Sequence, residues 1–299
     1  MNHLGIVIPY YKINFFEETI KSLAKQTDKR FTLYIGNDNS PNDPLPVIEK
    51  YFERKDYNYF NYKKNVGGQN LALQWERILE NVTEPWFQIL GDDDMISENF
   101  VEEFYLSLPE VEENNISVIR YSQHWIDESN NKTNDNTVFL KLISSKENWE
   151  SKYFKGIRSS LSEYVFKRKT FNKYGFHHFP LAWFTDDLAV LQCSEKTGVL
   201  FIGSAEVMVR ISHLNISNNS SLNAEKEDAN YLYEAFILNN YSHLFTTEKL
   251  LKQTEIHLWR TWKDKRKLKI NLFRIYCRTQ SWKKMVKTPL IYFKFYGRR

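Results

Sequence analysis

The sequence predicts an α/β protein: a doubly wound mixed sheet flanked by helices across residues 1–222, then a helical, basic extension over 223–299. Three observations carry that reading. Short apolar runs rich in β-branched residues alternate with segments of helical spacing through the first hundred residues. Polar clusters at Tyr10–Tyr11, Asp38 and Asp92–Asp94 each follow such a run, which places all three along one sheet edge, where sheets of this kind bind ligands. Charge is also uneven. From Leu251 to Arg299, 15 Lys/Arg face only Glu255 and Asp264, a balance of +13, so within a net charge of +4 the first 250 residues carry −9.

The elements follow in order. Leu4–Pro9 is a compact apolar run stopped by proline, as in a buried parallel strand. Phe15–Gln26 places Phe16, Ile20, Leu23 and Ala24 on one helical face. Phe31–Ile35 is a second strand and ends in the turn-forming Gly36–Asp43 segment. A short helix is expected over Val47–Phe52, a third strand over Tyr57–Tyr62 and a helix through Trp75–Leu79. Trp86–Leu90 is the next buried strand, and Gly91-Asp92-Asp93-Asp94 follows it at once. Further on, strands are expected at Ser117–Tyr121, Ser159–Phe166 and Val199–Arg210, with a solvated loop at Asp127–Thr137. Helices are expected from Ala182 to Gln192, Asp228 to Tyr241 and Thr247 to Trp262.

Composition narrows the classes of function. Apolar residues make up 42% and charged residues 26%, an ordinary globular balance. Aromatics at 16% suit grooves for bases and sugars, and suit a rich core equally well. Two cysteines are too few for a disulfide framework or a cysteine-based metal site. No run approaches the roughly 20 apolar residues that span a bilayer, and the apolar start is too short for a secretion signal. The expectation is a cytoplasmic chain, soluble or peripheral at the inner face of the cell membrane.

Three consecutive acids after a buried strand repel one another, and a hard divalent cation such as Mn²⁺ or Mg²⁺ relieves that cost. Such an ion keeps open positions for phosphate oxygens and neutralises a diphosphate leaving group. The same triplet also suits a solvated turn that caps a helix starting at Ser97. Its place directly after Trp86–Leu90 favours the cation.

In order along the chain stand Val7-Ile-Pro-Tyr-Tyr11, Asn37-Asp-Asn-Ser40, Asn65-Val-Gly67, Leu90-Gly-Asp-Asp-Asp94 and Thr185-Asp-Asp-Leu188. Together they resemble the family 2 inverting glycosyltransferases, which have the GT-A fold, over about the first 220 residues. The resemblance implies that Pro9, Tyr10 and Tyr11 flank the base and ribose of a nucleoside diphosphate-sugar, and that Asp38 accepts a hydrogen bond from the base. Asn65 and Gly67 would let the backbone approach the donor, although Leu71-Ala-Leu replaces the family's usual Ala-Arg-Asn. Asp92 and Asp93 would face the nucleotide-sugar, and Asp94 with either of them would hold the metal. Asp187 falls on the family's catalytic base and Asp186 on its supporting acid. By itself this acidic pair also suits simple helix capping after Thr185.

Nearby residues extend the site. Trp183 and His178 are candidates for the acceptor, with His177 beside them; ring packing in the core explains the aromatics as well. Val209–His213 followed by Ser217 resembles a loop that closes over the diphosphate. There His213 is expected as a third metal ligand or a phosphate contact, an exposed loop histidine being the plainer reading, and Arg210 as a counter-charge to phosphate.

The basic stretch from Trp259 to Arg299 interleaves cations with rings, which suits an anionic membrane surface. No nucleic-acid recognition motif accompanies it. The expected activity is inverting transfer of a sugar to an acceptor hydroxyl of a saccharide or lipid-linked saccharide, in bacterial surface polysaccharide assembly. A nucleotidyltransferase would want a glycine-rich phosphate loop, which Tyr10–Asn14 lacks. A non-catalytic membrane adaptor would need only the tail.

Overall fold

In this computed structural model, residues 2–213, 215–281 and 283–284 are described. The chain divides into two compact units, Met1–Leu222 and Asn223–Arg299.

The first unit runs β1 (Leu4–Tyr10), α1 (Phe16–Ala24), β2 (Phe31–Asn37), α2 (Leu45–Ile48), β3 (Tyr57–Asn61), α3 (Leu71–Leu79), β4 (Trp86–Ile89), β5 (Met95–Ile96) and α4 (Phe100–Glu113). It continues with β6 (Val118–Ile126), β7 (Leu142–Ile143), α5 (Ser145–Tyr153), β8 (Tyr164–Lys167), α6 (Arg168–Phe171), α7 (Thr185–Ser194) and β9 (Val199–Arg210). The strands form one mixed sheet in the order β3-β2-β1-β4-β8-β6-β9-β5, with β7 also paired to β9. Strands β1 to β4 are mutually parallel, and their register pairs Tyr10 with Asn37 and Asn37 with Asn61. The loops after β1, β2 and β4 therefore leave the sheet on the same edge.

Both faces of the sheet are covered. Leu4, Ile6, Ile8 and Tyr10 belong to one core cluster with α1 and α4, while Val7 belongs to the other with α3 and α7. That alternation is the strand period of two. Glycine at 36 is required by packing. A Cβ there would stand 2.4 Å from two side-chain carbons of Ile78, so a side chain on β2 would collide with this residue of α3.

Three expectations change in detail. The strand expected from Ser159 starts only at Tyr164, because Leu161–Glu163 makes a 3₁₀ turn first. The helix at Val47–Phe52 shortens to a single turn at Leu45–Ile48. Helix α5 was not anticipated, although its capping box is written in the sequence: Ser144 accepts from the Glu147 N–H, and the Glu147 carboxylate accepts from Ser144.

The second unit contains α8 (Asn223–Asn240), α9 (Thr247–Lys263) and α10 (Leu272–Arg278). Between α8 and α9, Glu234 accepts from His257 Nδ1 at 2.9 Å and Arg260 Nη1 at 3.2 Å, with the Tyr231 ring stacked on the imidazole. No helix among the described residues is long and apolar enough to cross a membrane. The ring-bearing end of the basic stretch, including Trp282, Ile291, Tyr292, Phe293 and Phe295, lies outside the described residues.

Candidate active site

The strand-end loops are tied to one another by hydrogen bonds. Asp92 Oδ2 accepts from the backbone N–H groups of Tyr11 and Lys12, both at 2.7 Å. The Asp38 N–H donates to the Tyr10 carbonyl at 3.0 Å, and the Ser40 hydroxyl donates to the Tyr11 carbonyl at 2.7 Å. One carboxylate after β4 thus fixes the chain after β1, which in turn fixes the chain after β2.

The turn Asp92–Asp94 is crowded with charge. Asp94 is buried, with Oδ2 accepting from the Ser162 hydroxyl at 2.5 Å and Oδ1 from the Arg210 N–H at 2.9 Å. No hydrogen bond from another residue to the Asp93 carboxylate is seen among the described residues. Burial pushes Asp92 and Asp94 up to about 7, and the neighbouring Asp93 carboxylate adds to the rise in both. Burial raises Asp93 as well, against the pull of Lys12 and Arg210. Gly91 fits because a Cβ there would come within 2.8 Å of Asp94 Oδ2.

Arg210 is turned into the protein. It is fully buried, and it donates to the Asp93 and Asp127 carbonyls, to Glu18 Oε2 and to Asn130 Oδ1 at 2.6–3.0 Å. Four of its five N–H groups are committed, so it works as a strut between β9 and the acidic turn rather than as a phosphate clamp. His213 is not gathered with the aspartates. Its side chain is 73% exposed, and Nδ1 lies 2.6 Å from Glu128 Oε1. Among the described residues, no three His, Cys, Asp or Glu side chains surround a common cation position.

The expected nucleoside contacts divide in a similar way. Tyr10 is fully buried, with its ring 4.5 Å from that of Phe16 and its hydroxyl donating to the Asn42 carbonyl, so it is a core residue. Tyr11 is 41% exposed and Pro9 half-buried. Asp38 is buried: it accepts from the Val66 and Gly67 N–H groups at 2.8 Å each and pairs with Arg77. Asn65 closes its own turn by accepting from the Gly68 N–H. Asp38 therefore anchors the Asn65–Gly67 loop, an arrangement the sequence signals only as two separate motifs. Arg77, stacked on the Tyr62 ring at 3.7 Å, gives no local signal of its partnership with Asp38.

Asp186 and Asp187 sit in the first turn of α7, where the helix dipole favours negative charge. The approach is strained, since Leu181, Ala182 and Phe184 all have φ between 55° and 66°. Such residues persist where their surroundings hold them. Here the Thr185 hydroxyl donates to the His177 carbonyl, and Asn70 Nδ2, from the helix cap of α3, donates to the Phe179 carbonyl at 2.8 Å. Trp183 is half-buried, and His178 is exposed with Nε2 2.8 Å from Glu76 Oε2. Asp187 does not stand alone: Lys152 Nζ lies 2.6 Å from Oδ1 and 2.7 Å from Oδ2. Burial pushes the Asp187 carboxyl up to about 6; Lys152 opposes this and Asp186 adds to it.

The 3₁₀ turn before β8 holds the first acidic group. Ser162 donates to Asp94 and accepts from the Gly91 N–H at 3.1 Å. The adjacent Glu163 pairs with Arg120 and raises Asp187 electrostatically.

The family model described as glycosyl transferase family 2 matches residues 5–179. This chain belongs to that family. The chain is 31% identical over 129 residues to an uncharacterized glycosyltransferase of Rickettsia conorii, and 29% identical over 153 residues to one of Rickettsia bellii. These alignments cover 42% and 48% of it but only 20% and 21% of the relatives, so the chain spans about a fifth of the curated relatives it matches. A crystal structure of S. aureus TarS 1-349 in complex with UDP-GlcNAc superposes with a TM-score of 0.65 at 16% identity, covering 87% of this chain and 74% of that one. A second TarS structure, with UDP, gives 0.57 at 14% identity, over 88% and 72%. These likenesses show the GT-A fold.

Proposed function

We propose that the enzyme transfers a sugar from a nucleoside diphosphate donor to an acceptor hydroxyl with inversion, using Asp187 as the base and the Asp92–Asp94 turn to receive a divalent cation. The observation that carries this reading is the pair of acidic groups itself: Asp94 at the strand-end turn is held by the Ser162 hydroxyl, and Asp187 in the first turn of α7 is held by the Lys152 ammonium. The two acidic groups thus have different surroundings.

The turn fits a hard cation. Its donors are carboxylate oxygens, burial raises all three acids, Asp93 adds to the rise in the other two, and among the described residues no other residue donates a hydrogen bond to the Asp93 carboxylate. Asp93 and Asp92 would hold the ion, and Asp94 retains unused lone pairs beside them. When bound, Mn²⁺ or Mg²⁺ supplies charge neutralisation for the leaving diphosphate. Mg²⁺-type sites commonly rest on one or two carboxylates plus substrate phosphates and water. The protein's own part is then positioning. The Tyr11 and Lys12 amides hold Asp92, and Arg210 braces the turn from behind. Asp187 takes the proton of the acceptor hydroxyl as that oxygen bonds to the anomeric carbon and the diphosphate departs. Exposed Tyr11 is the ring available to the base, while Trp183 and His178 lie on the segment leading to Asp187.

The bound UDP-GlcNAc of TarS supports a uridine diphosphate-sugar as the first donor to test. A saccharide or lipid-linked saccharide is the proposed acceptor. The basic extension, with Trp259 and Phe273 exposed, would meet an anionic inner-membrane surface during surface polysaccharide assembly. Release of UDP from UDP-GlcNAc and other common nucleotide-sugars, measured with Mn²⁺ and with EDTA, tests the reading. No cation-dependent release from any of them would sink it.

A further inference from the structure

Helix α5 turns a polar stripe inward. Ser145, Asn148 and Lys152 follow at intervals of three and four, so they lie on one side of the helix. Each meets a different neighbour. The Ser145 hydroxyl donates to the Leu191 carbonyl at 3.2 Å and accepts from Ser194 Oγ at 2.8 Å, both on α7. Asn148 Oδ1 accepts from Arg120 Nη1 at 2.9 Å. Lys152 reaches both carboxylate oxygens of Asp187 at 2.6–2.7 Å. Two contacts near one end of α7 and one in its first turn fix where the ammonium stands.

The charges around Asp187 pair off. From β6, Arg120 Nε faces Glu163 Oε1 at 2.7 Å, with both side chains essentially buried, and the rest of its guanidinium bonds Asn148 and the Arg158 carbonyl. From β8, Tyr164 is a buried phenol whose pKa burial raises, so it stays neutral. From α7 itself, Asp186 adds a second negative charge. That leaves Lys152 as the cation in contact with Asp187 among the described residues. Burial works against its charge, but Asp187 and Asp186 outweigh that and hold its pKa raised.

We propose that Lys152 is the positioning residue of the transfer site: its ammonium, centred on both oxygens of Asp187, fixes the carboxylate and keeps it charged to accept the hydroxyl proton. This rests on Asp187 being the base. A buried carboxylate deprived of its cation takes up a proton rather than remaining charged, and a protonated Asp187 accepts nothing. The inference therefore concerns the pH at which the base is competent, not only its orientation.

The test uses the full chain with ¹³C-carboxyl-labelled aspartate, the Asp187 signal being identified by its loss in Asp187→Asn. The wild-type carboxyl is expected to titrate near 6. In Lys152→Met, and in Lys152→Gln as a variant that keeps a polar donor, the midpoint should rise by about one pH unit or more. Lys152→Arg, which restores the charge, should return it toward the wild-type value. With UDP-GlcNAc as the donor probe, the acid limb of kcat/KM should move with the midpoint. An Asp187 midpoint unmoved in the folded Met and Gln variants overturns the inference, even if Asp187→Asn is inactive. If Asp187→Asn keeps near-normal turnover, the base assignment fails and the positioning role falls with it, whatever the titration shows.

Discussion

The two acidic groups of the catalytic unit are held by opposite means. At Asp92–Asp94, amides and a hydroxyl hold the carboxylates, and the nearest guanidinium, Arg210, is committed to carbonyls, Glu18 and Asn130. At Asp187 a lysine ammonium sits on both oxygens. Lys12 and Arg210 only partly offset the charge of the first group, whose carboxyls burial holds raised. The second is neutralised from within, by a cation that lets it exchange a proton without leaving a bare charge in the interior. One group is suited to an ion and the other to a proton, and the difference lies in the partners rather than in the residue type.

The sharpest way to break that contrast is Asp187→Asn. Loss of a general base costs about 10²–10⁴-fold in turnover. Binding of the donor with Mn²⁺, read by calorimetry, should stay within a few-fold of wild type, because the substitution leaves the other group intact. Next in size is Asp93→Asn. Removing the uncommitted carboxylate should weaken Mn²⁺ binding in the presence of UDP by roughly tenfold or more. The Asp187 proton chemistry should be unaffected. If Mn²⁺ affinity, followed by electron paramagnetic resonance, is unchanged in Asp93→Asn, the ion does not rest on this turn.

A pH series without added cation separates the groups further. Asp92 and Asp94 have carboxyl pKa values raised to about 7 by burial and by Asp93. Between the ordinary carboxyl range and 7 the folded chain thus binds more protons than the unfolded chain. Stability therefore falls as pH rises through that window and through the folded pKa near 7. Asp187, raised to about 6, contributes in the same direction but over a lower range. Thermal unfolding in EDTA should thus show Tm declining from pH 6 to 8, and Mn²⁺ should recover it at pH 8 but little at pH 5. A flat profile over pH 6–8 would mean that the turn is already neutralised by the protein.

Much of the first group was legible in the sequence, and the second much less so. A buried strand followed at once by acids is a local signal, and β1, β2 and β4 stand where their apolar runs place them. What completes the turn comes from far away: Ser162 is 68 residues from Asp94 and Arg210 is 116. Lys152 belongs to a helix whose capping box is written in the sequence but whose face has no apolar period to follow. Tyr10 could be placed at the strand end, yet the inward direction of its ring depends on Phe16 and on pairing across the sheet. His213 had the right residue type and position in the chain, but Glu128 holds it elsewhere.

The smallest expected effect asks whether the Asp187 group is independent of the Asp38-anchored loop. Asn70 ties the loop that Asp38 anchors to the approach to Asp187: its Oδ1 caps α3 by accepting from the Ala72 N–H at 2.9 Å, and its Nδ2 donates to the Phe179 carbonyl in the strained segment before Asp187. The α3 cap ends the loop that Asp38 anchors beside the donor side of the site. Asn70→Ala removes both bonds and should cost about 1–2 kcal/mol in denaturant unfolding. Asn70→Ser keeps the cap but is too short to span to Phe179, so most of that stability should return. Turnover then decides between two readings. If the serine variant regains stability but not kcat, the contact with Phe179 holds Asp187 in register with the donor side. If stability and kcat return together, the cap alone mattered, and the Asp187 group is positioned by its own surroundings.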